Sequence, residues 1–276
     1  MKALHRPFEF DEVRETSPDP VSILTITQAT AATFSELFIG LTFLCFIQSG
    51  SKRVACPING EMIGQEGDLF IFPPGAMVTL ENRPLLNATY RAEGVYFTHG
   101  MIEKVFADQR QPSGSSGVQL VRAGPHQPSE ILSLIKNTLA DEALPLAIRQ
   151  HRLLEPLIWL RHQGIVLSIQ EDEQPLSKVR NLIETDPSLP WKAADVAGHF
   201  AMSEPTFRRW LAKSGSGFSK ILQNTRLEKG LTLLQTTKIP VSQIAMDCGF
   251  TTPSHFSDSF RRRFGIKPKA VRSAEN

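Results

Sequence analysis

A short motif occurs twice in the last third of this 276-residue chain, and this repeat restricts what the region can fold into. The copies span residues 195–211 and 243–260. Near its start each has an aliphatic residue followed by alanine, and each then passes through a turn at a small residue, Ala201 or Gly249. Each ends in two bulky apolar residues four positions apart, Phe207 with Leu211 and Phe256 with Phe260. The offset between the copies is 48 at the first pair and 49 at the last, so the second turn contains one additional residue. A short helix, a tight turn and a second helix, repeated, predict two helix-turn-helix units.

The second helix of each unit is expected to expose a polar and mostly basic face. Ser203 or Glu204 followed by Pro205 is a favourable helix start, and Thr251 or Thr252 has the same place in the second unit. An α-helix fits the major groove of B-DNA, where Arg can bind guanine through two hydrogen bonds and Lys or Arg can contact phosphates. A basic helix face alone usually means only a solvated surface. The repetition favours a nucleic-acid interface instead.

Many residues between positions 176 and 272 stand in an order that is typical of one protein family. They are Val196-Ala197, Met202-Ser203, Phe207, Arg209, Leu211, Gly217-Phe218-Ser219, Arg226-Leu227, Leu233-Leu234, Ile239, Val241, Ile244-Ala245, Gly249-Phe250, Ser254 to Ser257, Phe260, Phe264-Gly265 and Pro268. On these residues the region resembles the DNA-binding domain of the AraC/XylS transcription regulators. The resemblance implies helix-turn-helix units at about residues 191–213 and 241–264, joined by one long helix at about 218–236. It also implies that the recognition helices enter successive major grooves on one face of the duplex.

The resemblance further implies which side chains face DNA. On the first recognition helix these are Pro205, Arg208, Arg209 and Lys213, and on the second they are Pro253, Ser254, His255 and Asp258, with phosphate contacts from Arg261, Arg262 and Arg263. Asp258 departs from the family, in which Arg or Lys is common at this position. It either accepts from cytosine or pairs with Arg262 four residues later, and we favour the pair within the helix. Base recognition is therefore expected mainly from the first unit.

Gly230 lies inside the predicted long helix, where the family commonly has alanine. A glycine in a helix interior should weaken the helix by about 1 kcal/mol relative to alanine. The prediction of a continuous helix stands nevertheless.

The charge distribution divides the chain at the same place. Residues 175–276 contain 16 Lys and Arg against 8 Asp and Glu, a net charge of +8, whereas residues 1–174 contain 14 against 20, a net charge of −6. A basic module attached to an acidic body is typical of proteins that bind phosphates with one domain. We predict a regulatory domain at residues 1–170, a polar linker at 171–175 and a DNA-binding domain at 176–276. Hydrophobic residues make up 41% of the chain, which is enough for two hydrophobic cores.

Composition also excludes several classes of protein. No apolar run approaches the roughly 18 residues of a membrane span, and the first residues lack the apolar core of a secretory signal. The three cysteines, Cys45, Cys56 and Cys248, are too few and too unpatterned for a disulfide framework or a zinc site. A reduced cytoplasmic protein without a membrane partner, metal or cofactor is expected.

The segment from Val21 to Phe97 has the pattern of short β-strands. Residues 37–47 and 52–58 are expected to pair across a turn at residues 49–51, Asn59-Gly60 predicts a tight hairpin of the primed type, and residues 67–75 predict a strand that ends in a loop. Such strands form a small barrel or sandwich. The first hairpin would place Cys45 opposite Cys56, which allows a redox switch, although buried thiols acting as small apolar residues are the favoured interpretation.

This segment resembles the cupin-like regulatory domain that precedes the DNA-binding unit in the same family. Gly67, Pro73, Gly75 and Asn82 match the second cupin motif, but Val78 occupies the position of the metal-binding histidine. Because no His-x-His with a following Glu occurs upstream, a metal site is not expected. The interior is then filled by side chains or by an apolar ligand, and the sequence leaves both open.

Helical patterns follow the β segment. A short helix is predicted at residues 101–108, a flexible loop at 109–117, and amphipathic helices at 129–143 and 145–167. The last of these helices carries a stripe made of Leu146, Leu153, Leu154, Leu157, Ile158 and Leu160. Such a stripe usually packs on its own domain, but the resemblance implies that the corresponding helices pair two subunits in a homodimer.

Together these patterns predict an α+β protein, with an N-terminal cupin-like barrel or sandwich, helical dimerisation elements and a C-terminal double helix-turn-helix domain. We expect a non-enzymatic transcription regulator that binds double-stranded promoter DNA. The resemblance alone implies that it is an activator that works with RNA polymerase. The first domain would sense a small molecule or a protein partner. The alternatives are a regulator without an effector, a repressor of the same family and, last, a cupin-type metalloenzyme.

Overall fold

The computed structural model describes residues 21–109, 117–168 and 174–273. The chain divides into two compact units, Met1–Glu171 and Asp172–Asn276. Residues 110–116 of the predicted flexible loop and residues 171–173 of the predicted linker lie outside the described residues. Each unit is described by itself.

Two antiparallel β-sheets form the centre of the first unit. The five-stranded sheet has the order β1 (Val21–Gln28), β8 (Tyr90–Phe97), β3 (Phe43–Ser49), β6 (Leu69–Phe72) and β9 (Gln119–Val121). The four-stranded sheet has the order β2 (Ala32–Ile39), β7 (Ala76–Arg83), β4 (Ser51–Cys56) and β5 (Gly60–Gly64). This two-sheet arrangement confirms the predicted N-terminal β domain.

The pairing of β3 and β4 differs from the prediction. The apolar stretch at residues 37–47 forms parts of two strands, and β3 and β4 belong to different sheets. The chain crosses between the sheets at Gly50, which has a φ of 86° and where a Cβ atom would stand 2.5 Å from the carbonyl oxygen of Arg83. The predicted hairpin at residues 49–51 is therefore wrong, because the alternating pattern identifies strands but not their partners.

The same crossover separates the two cysteines that the hairpin would have placed together. Cys45 lies in the five-stranded sheet with its sulfur 3.9 Å from the hydroxyl of Tyr90. Cys56 lies in the four-stranded sheet, where its sulfur accepts a hydrogen bond from the backbone of Asn59 at 3.3 Å. Both are free and buried. Burial raises the pKa of the Cys45 thiol, so the structure gives no support to a redox switch.

The hairpin between β4 and β5 exists, but its turn is not of the primed type. Gly60 has a φ of 71°, whereas Asn59 is not among the residues with positive φ. Since Cys56 pairs with Gly60, the loop contains three residues, 57–59, followed by a glycine in the left-handed region. A primed two-residue turn would require positive φ at both Asn59 and Gly60.

The described part of the first unit also contains the helices α1 (His99–Phe106), α2 (Ala123–His126), α3 (Pro128–Ala140) and α4 (Leu146–His162). Side chains of α1, α3 and α4 share one hydrophobic core with the outer face of the five-stranded sheet, including Leu44, Phe46, Leu69 and Ile71. From the predicted stripe, Leu153, Leu157 and Leu160 are fully buried in this core. The stripe therefore packs mainly on its own domain.

A polar network joins the two sheets of the first unit. Asn82, on the last position of the cupin motif, accepts a hydrogen bond from Lys52 at 2.5 Å and donates one to Gln28 at 2.9 Å. Lys52 also lies 5.2 Å from the centre of the Tyr90 ring. All four side chains are buried, and among the described residues no group of His, Cys, Asp and Glu has the arrangement of a metal site.

The second unit is helical and confirms the α+β class. Its helices are α5 (Pro175–Thr185), α6 (Ala193–His199), α7 (Glu204–Ala212), α8 (Phe218–Thr236), α9 (Val241–Asp247), α10 (Pro253–Phe264) and α11 (Pro268–Arg272). None of the described helices is both long and apolar enough to cross a membrane. Helix α8 has two short helix pairs attached to it, α6 with α7 before it and α9 with α10 after it.

Candidate nucleic-acid interface

The two helix pairs have turns of the same geometry. Ala201 has a φ of 52° and Gly249 has a φ of 73°, so both occupy the left-handed region. After each turn residue the backbone forms a hydrogen bond to the preceding helix. The amide of Met202 donates to the carbonyl of Ala197, and the amide of Phe250 donates to the carbonyl of Ala245, both at 2.9 Å. These bonds are typical of a helix that ends in a left-handed residue. The small residues of the repeated motif therefore mark two equivalent turns.

The additional residue of the second unit lies between its turn and its recognition helix. Helix α7 begins after Ser203, whose hydroxyl accepts from the amide of Thr206 at 3.4 Å. Helix α10 begins after Thr252, whose hydroxyl accepts from the amide of His255 at 3.2 Å. Since the turn residues are 48 apart and these caps are 49 apart, the added residue is Thr251. Both caps satisfy amides that the helix itself leaves free.

Helix α7 separates a buried face from a basic face. Phe207 and Leu211 are buried in a core that also contains Val196, Ala197 and Ile221. The outward side chains include the predicted residues Pro205, Arg208, Arg209 and Lys213, all exposed. Arg208 donates to Glu204 one turn earlier at 2.9 Å, whereas Arg209 forms no hydrogen bond or ion pair with any described residue. The guanidinium of Arg209 is thus available to a ligand without breaking an existing contact.

Helix α10 is anchored by a row of phenylalanines. Phe256, Phe260 and Phe264 are buried and contact one another, with ring centres 5.6 Å and 4.7 Å apart along the row. The opposite face exposes six of the predicted residues, Pro253, Ser254, His255, Asp258, Arg261 and Arg262. Over the described residues the structure shows no ion pair between Asp258 and Arg262, contrary to the pairing favoured from the sequence. Asp258 therefore stays exposed beside the basic residues.

Arg263 is turned away from the exposed face of α10. Its side chain is 15% exposed and lies 3.7 Å from the carboxylate of Glu228 on α8. It also lies 5.1 Å from the centre of the Phe264 ring. The predicted phosphate contact conflicts with this placement, because consecutive helical residues are rotated by about 100° and three in a row cannot share one face. Arg263 fastens the recognition helix to α8.

Glu228 joins three helices of the second unit. Its carboxylate also accepts a hydrogen bond from Arg180 on α5, whose side chain is only 3% exposed. Helices α5, α8 and α10 thus meet at one buried carboxylate between two guanidinium groups. Removing the Glu228 carboxylate is expected to be strongly destabilising, because the Arg180 guanidinium is almost fully buried.

Arg226 connects α8 to both helix-turn-helix units. It donates to the carbonyls of Pro187 at 2.9 Å and Leu189 at 2.6 Å, in the segment that leads into the first unit. On the other side it packs against the turn of the second unit, where a Cβ atom on Gly249 would stand 2.7 Å from the guanidinium carbon. Burial lowers the pKa of Arg226. These contacts join the turn of the second unit to the segment that precedes the first unit.

A cleft of about 620 Å³ opens at the start of α8 between the two recognition helices. Its lining comes from the beginning of α6, from α7 and α8, and from the segment that starts α10. Four of the lining residues are cationic, Lys192, Arg208, Lys220 and Arg226, and His255 lines it as well. Among the residues that the structure describes, no Asp or Glu lines the cleft. Lys192 and Lys220 were not predicted as site residues. Single lysines 28 positions apart give no signal in a sequence.

The chain is similar to known regulators in this region. Residues 196–274 match the family described as a helix-turn-helix domain. The transcriptional regulator SirC of Salmonella typhimurium is 40% identical over 91 residues, covering 33% of this chain and 31% of that protein. The transcriptional activator AggR of Escherichia coli is 40% identical over 92 residues, covering 33% and 35% respectively. The match thus spans about a third of the length of these curated relatives.

Two further comparisons extend beyond this region. The urease operon transcriptional activator of Escherichia coli is 28% identical over 147 residues, covering 52% of this chain and 49% of that protein. The crystal structure of ToxT from Vibrio cholerae covers 90% of this chain and 95% of its own, with a TM-score of 0.62 and 16% identity. The latter likeness concerns the fold, and it includes the N-terminal β domain as well as the helical unit.

Proposed function

We propose that this protein is a sequence-specific DNA-binding transcription regulator of the AraC/XylS family, whose C-terminal unit is the DNA-binding domain. The observation that carries the proposal is the pair of equivalent helix-turn-helix units fixed on α8. Each unit presents the exposed face of its second helix to solvent. Two such helices at a fixed separation suit two successive major grooves on one side of a duplex.

The two recognition helices have different roles in this proposal. Arg209 makes the principal base contact, because its guanidinium has no partner among the described residues. Arg208 and Lys213 assist it, while Pro205 starts the helix close to the groove. In the second unit Ser254, His255 and Asp258 face the bases, and Arg261 and Arg262 contact phosphates. Base preference then comes mainly from the first unit.

Activation is the proposed direction of regulation. Two of the similar proteins are named as transcriptional activators, AggR and the activator of the urease operon. An activator of this kind binds next to a promoter and contacts RNA polymerase, which we propose as the second macromolecular partner. Repression is the alternative, and transcription from a bound promoter with purified RNA polymerase would distinguish the two.

Footprinting tests the DNA-binding proposal directly. On promoter fragments from the organism of origin we expect two protected major-groove tracts, about 10 base pairs apart on the same face of the duplex. A duplex of scrambled sequence should bind more weakly at the same salt concentration. Binding of equal strength to every duplex, without protected tracts, would contradict the proposal.

The first unit is proposed to bind a small apolar acid as effector. ToxT has been solved with an unsaturated fatty acid and with a naphthalenyl butenoic acid, both of which combine an apolar body with a carboxylate. In the present chain Lys52 is buried and its contacts are neutral, Asn82 and the Tyr90 ring. Desolvation lowers the pKa of Lys52. A carboxylate beside this ammonium would supply the missing negative charge.

Thermal unfolding of the full chain tests the effector. A long-chain unsaturated fatty acid should raise the melting temperature, because a ligand that binds only the folded state stabilises it. Its methyl ester, which lacks the charge, should not. Replacement Lys52→Met keeps the volume of the side chain and should abolish the response to the acid. Equal shifts with the acid and the ester would exclude the role of Lys52.

A homodimer formed through α4 is the proposed quaternary structure. Ile148, Ile158 and Trp159 are 47%, 54% and 49% exposed, which is unusual for such large apolar side chains in one helix. Ile148 and Trp159 are three helical turns apart and share a face, away from the buried leucines. A second copy of the chain would cover this face. Sedimentation should show a dimer that Trp159→Glu dissociates and that Ile63→Glu, an exposed position of the four-stranded sheet, leaves intact.

A further inference from the structure

We infer that the cleft at the start of α8 binds the sugar–phosphate backbone between the two recognised major grooves, as a third DNA contact besides the recognition helices. This inference rests on the proposed function. It assigns a role to Lys192 and Lys220, which belong to neither recognition helix. We refer to this feature as the α8 cleft, and its lining is the one given above.

The charges of the α8 cleft have little compensation from the protein. Lys192 and Lys220 are exposed, and neither forms an ion pair with any residue that the structure describes. Arg208 is 66% exposed and forms an ion pair with the carboxylate of Glu204, which is not part of the lining. A concave surface with cations and without acidic groups focuses a positive potential on whatever enters it. The expected occupant is therefore a polyanion or an anion.

The position of the cleft favours the DNA backbone as occupant. It is bordered by Arg208 of α7 on one side and by Thr251 and His255 at the start of α10 on the other. When two helices lie in successive major grooves, the duplex surface between them presents the minor groove and its flanking phosphates. Side chains located between the helices therefore meet phosphates and sugars rather than the base edges of the major groove.

The remaining lining residues fit a sugar–phosphate chain. Ser219, Gln223 and Thr251 carry hydroxyl or amide donors suited to phosphate oxygens. Trp191 and Phe218 supply apolar surface for deoxyribose. Arg226 lines the cleft too, but its guanidinium is occupied by the carbonyls of Pro187 and Leu189, so it shapes the wall rather than serving as a mobile contact.

The salt dependence of DNA binding tests the inference. Each phosphate contact that is lost should reduce the slope of log K against log salt concentration by about 0.9. Lys192→Ala and Lys220→Ala should each lower the slope by about that amount, and the double substitution by about twice as much. Because phosphates carry no sequence information, the ratio of affinities for operator and scrambled duplexes should stay as in the wild type.

A matched control lies at the other end of the same helix. Lys238 is also exposed, and it lies two residues after the end of α8, roughly 25 Å from Lys220 by the rise of an α-helix. Lys238→Ala should leave the salt slope unchanged. Hydroxyl-radical footprinting adds a direct readout. Sugars between the two major-groove tracts should be protected by the wild type, and should lose protection with Lys192→Ala/Lys220→Ala while both tracts remain.

The outcomes separate this inference from the proposed function. If the wild type protects two tracts and the double substitution changes neither the slope nor the intervening sugars, the α8 cleft does not hold the backbone and the proposed function stands. If the wild type binds its operator no more tightly than a scrambled duplex, the proposed function itself is wrong. A double variant that loses operator preference at an unchanged slope would assign the lysines to base recognition and overturn the inference.

Discussion

The ring of Phe256 packs directly on Gly230. A Cβ atom at Gly230 would stand 2.7 Å from one ring carbon of Phe256 and 2.9 Å from another. Phe256 belongs to the second recognition helix and is fully buried, so its ring has no free space to move into. The glycine that weakens α8 by about 1 kcal/mol on helix propensity is therefore what lets α10 approach α8 closely.

Gly230→Ala should destabilise the protein by about 1 to 3 kcal/mol, because overpacking a filled contact outweighs the gain in helix propensity. Urea unfolding followed by tryptophan fluorescence measures the change. Gly198→Ala is the matched control, since Gly198 lies in α6 and no atom stands within 4 Å of the added Cβ. The control should be neutral or stabilising. If Gly230→Ala were stabilising, the Phe256 ring would have to move to accommodate the added methyl group.

Glu228→Gln should destabilise the second unit by about 3 to 5 kcal/mol, as breaking a buried pair does. The substitution removes the Glu228 carboxylate from Arg180, which is 3% exposed, and from Arg263. Operator affinity should fall with stability because α10 loses an anchor. In contrast, Glu204→Gln removes an exposed pair with Arg208 and should change the free energy of unfolding by less than about 1 kcal/mol. Similar effects at both positions would contradict the role given to Glu228.

Arg209→Ala should lower operator affinity by about 1 to 3 kcal/mol and relax the preference at one base pair. Arg261→Ala should instead weaken binding to all duplexes alike and reduce the salt slope by about 1. Fluorescence anisotropy with operator and single-base variants at several salt concentrations distinguishes the two. Unchanged operator affinity in Arg209→Ala would show that Arg209 does not contact the operator.

Alkaline unfolding should depend on Cys248. Burial raises the pKa of its thiol from 9.0 to about 12. The unfolded chain therefore releases this proton first, so the stabilisation is complete below pH 9 and is lost as the pH rises from 9 towards 12. Over that range Cys248→Ala should lose less stability than the wild type in urea unfolding. If the free energy of unfolding fell equally with pH in both proteins, the raised pKa of the Cys248 thiol would be refuted.

Alkylation gives a second readout of the same thiol. The Cys248 side chain is fully buried and protonated near neutral pH, so iodoacetamide should not label it in the folded protein. Labelling should appear together with the urea transition of the second unit. Labelling at full rate without denaturant would mean that this part of the core opens readily.

The local features of this protein could be predicted from the order of its residues. The repeated motif predicted both turns, at Ala201 and Gly249, and the caps were among the residues named, Ser203 and Thr252. These features depend on helix periodicity and on turn chemistry, both of which act over a few neighbouring residues. The class of the fold followed for the same reason, since strand and helix patterns are local.

The contacts between distant residues could not be predicted in this way and follow from the three-dimensional fold. It placed β3 and β4 in different sheets, turned Arg263 towards Glu228, and brought Lys192 and Lys220 to one cleft. Strands in both sheets share the same alternation, so their pattern cannot choose a partner. An exposed charged side chain gains only a few tenths of a kcal/mol from a neighbour on its own helix. A contact with a residue of another helix can therefore determine where that side chain lies. Such contacts arise between positions far apart in the chain, which is why they appear only once it is folded.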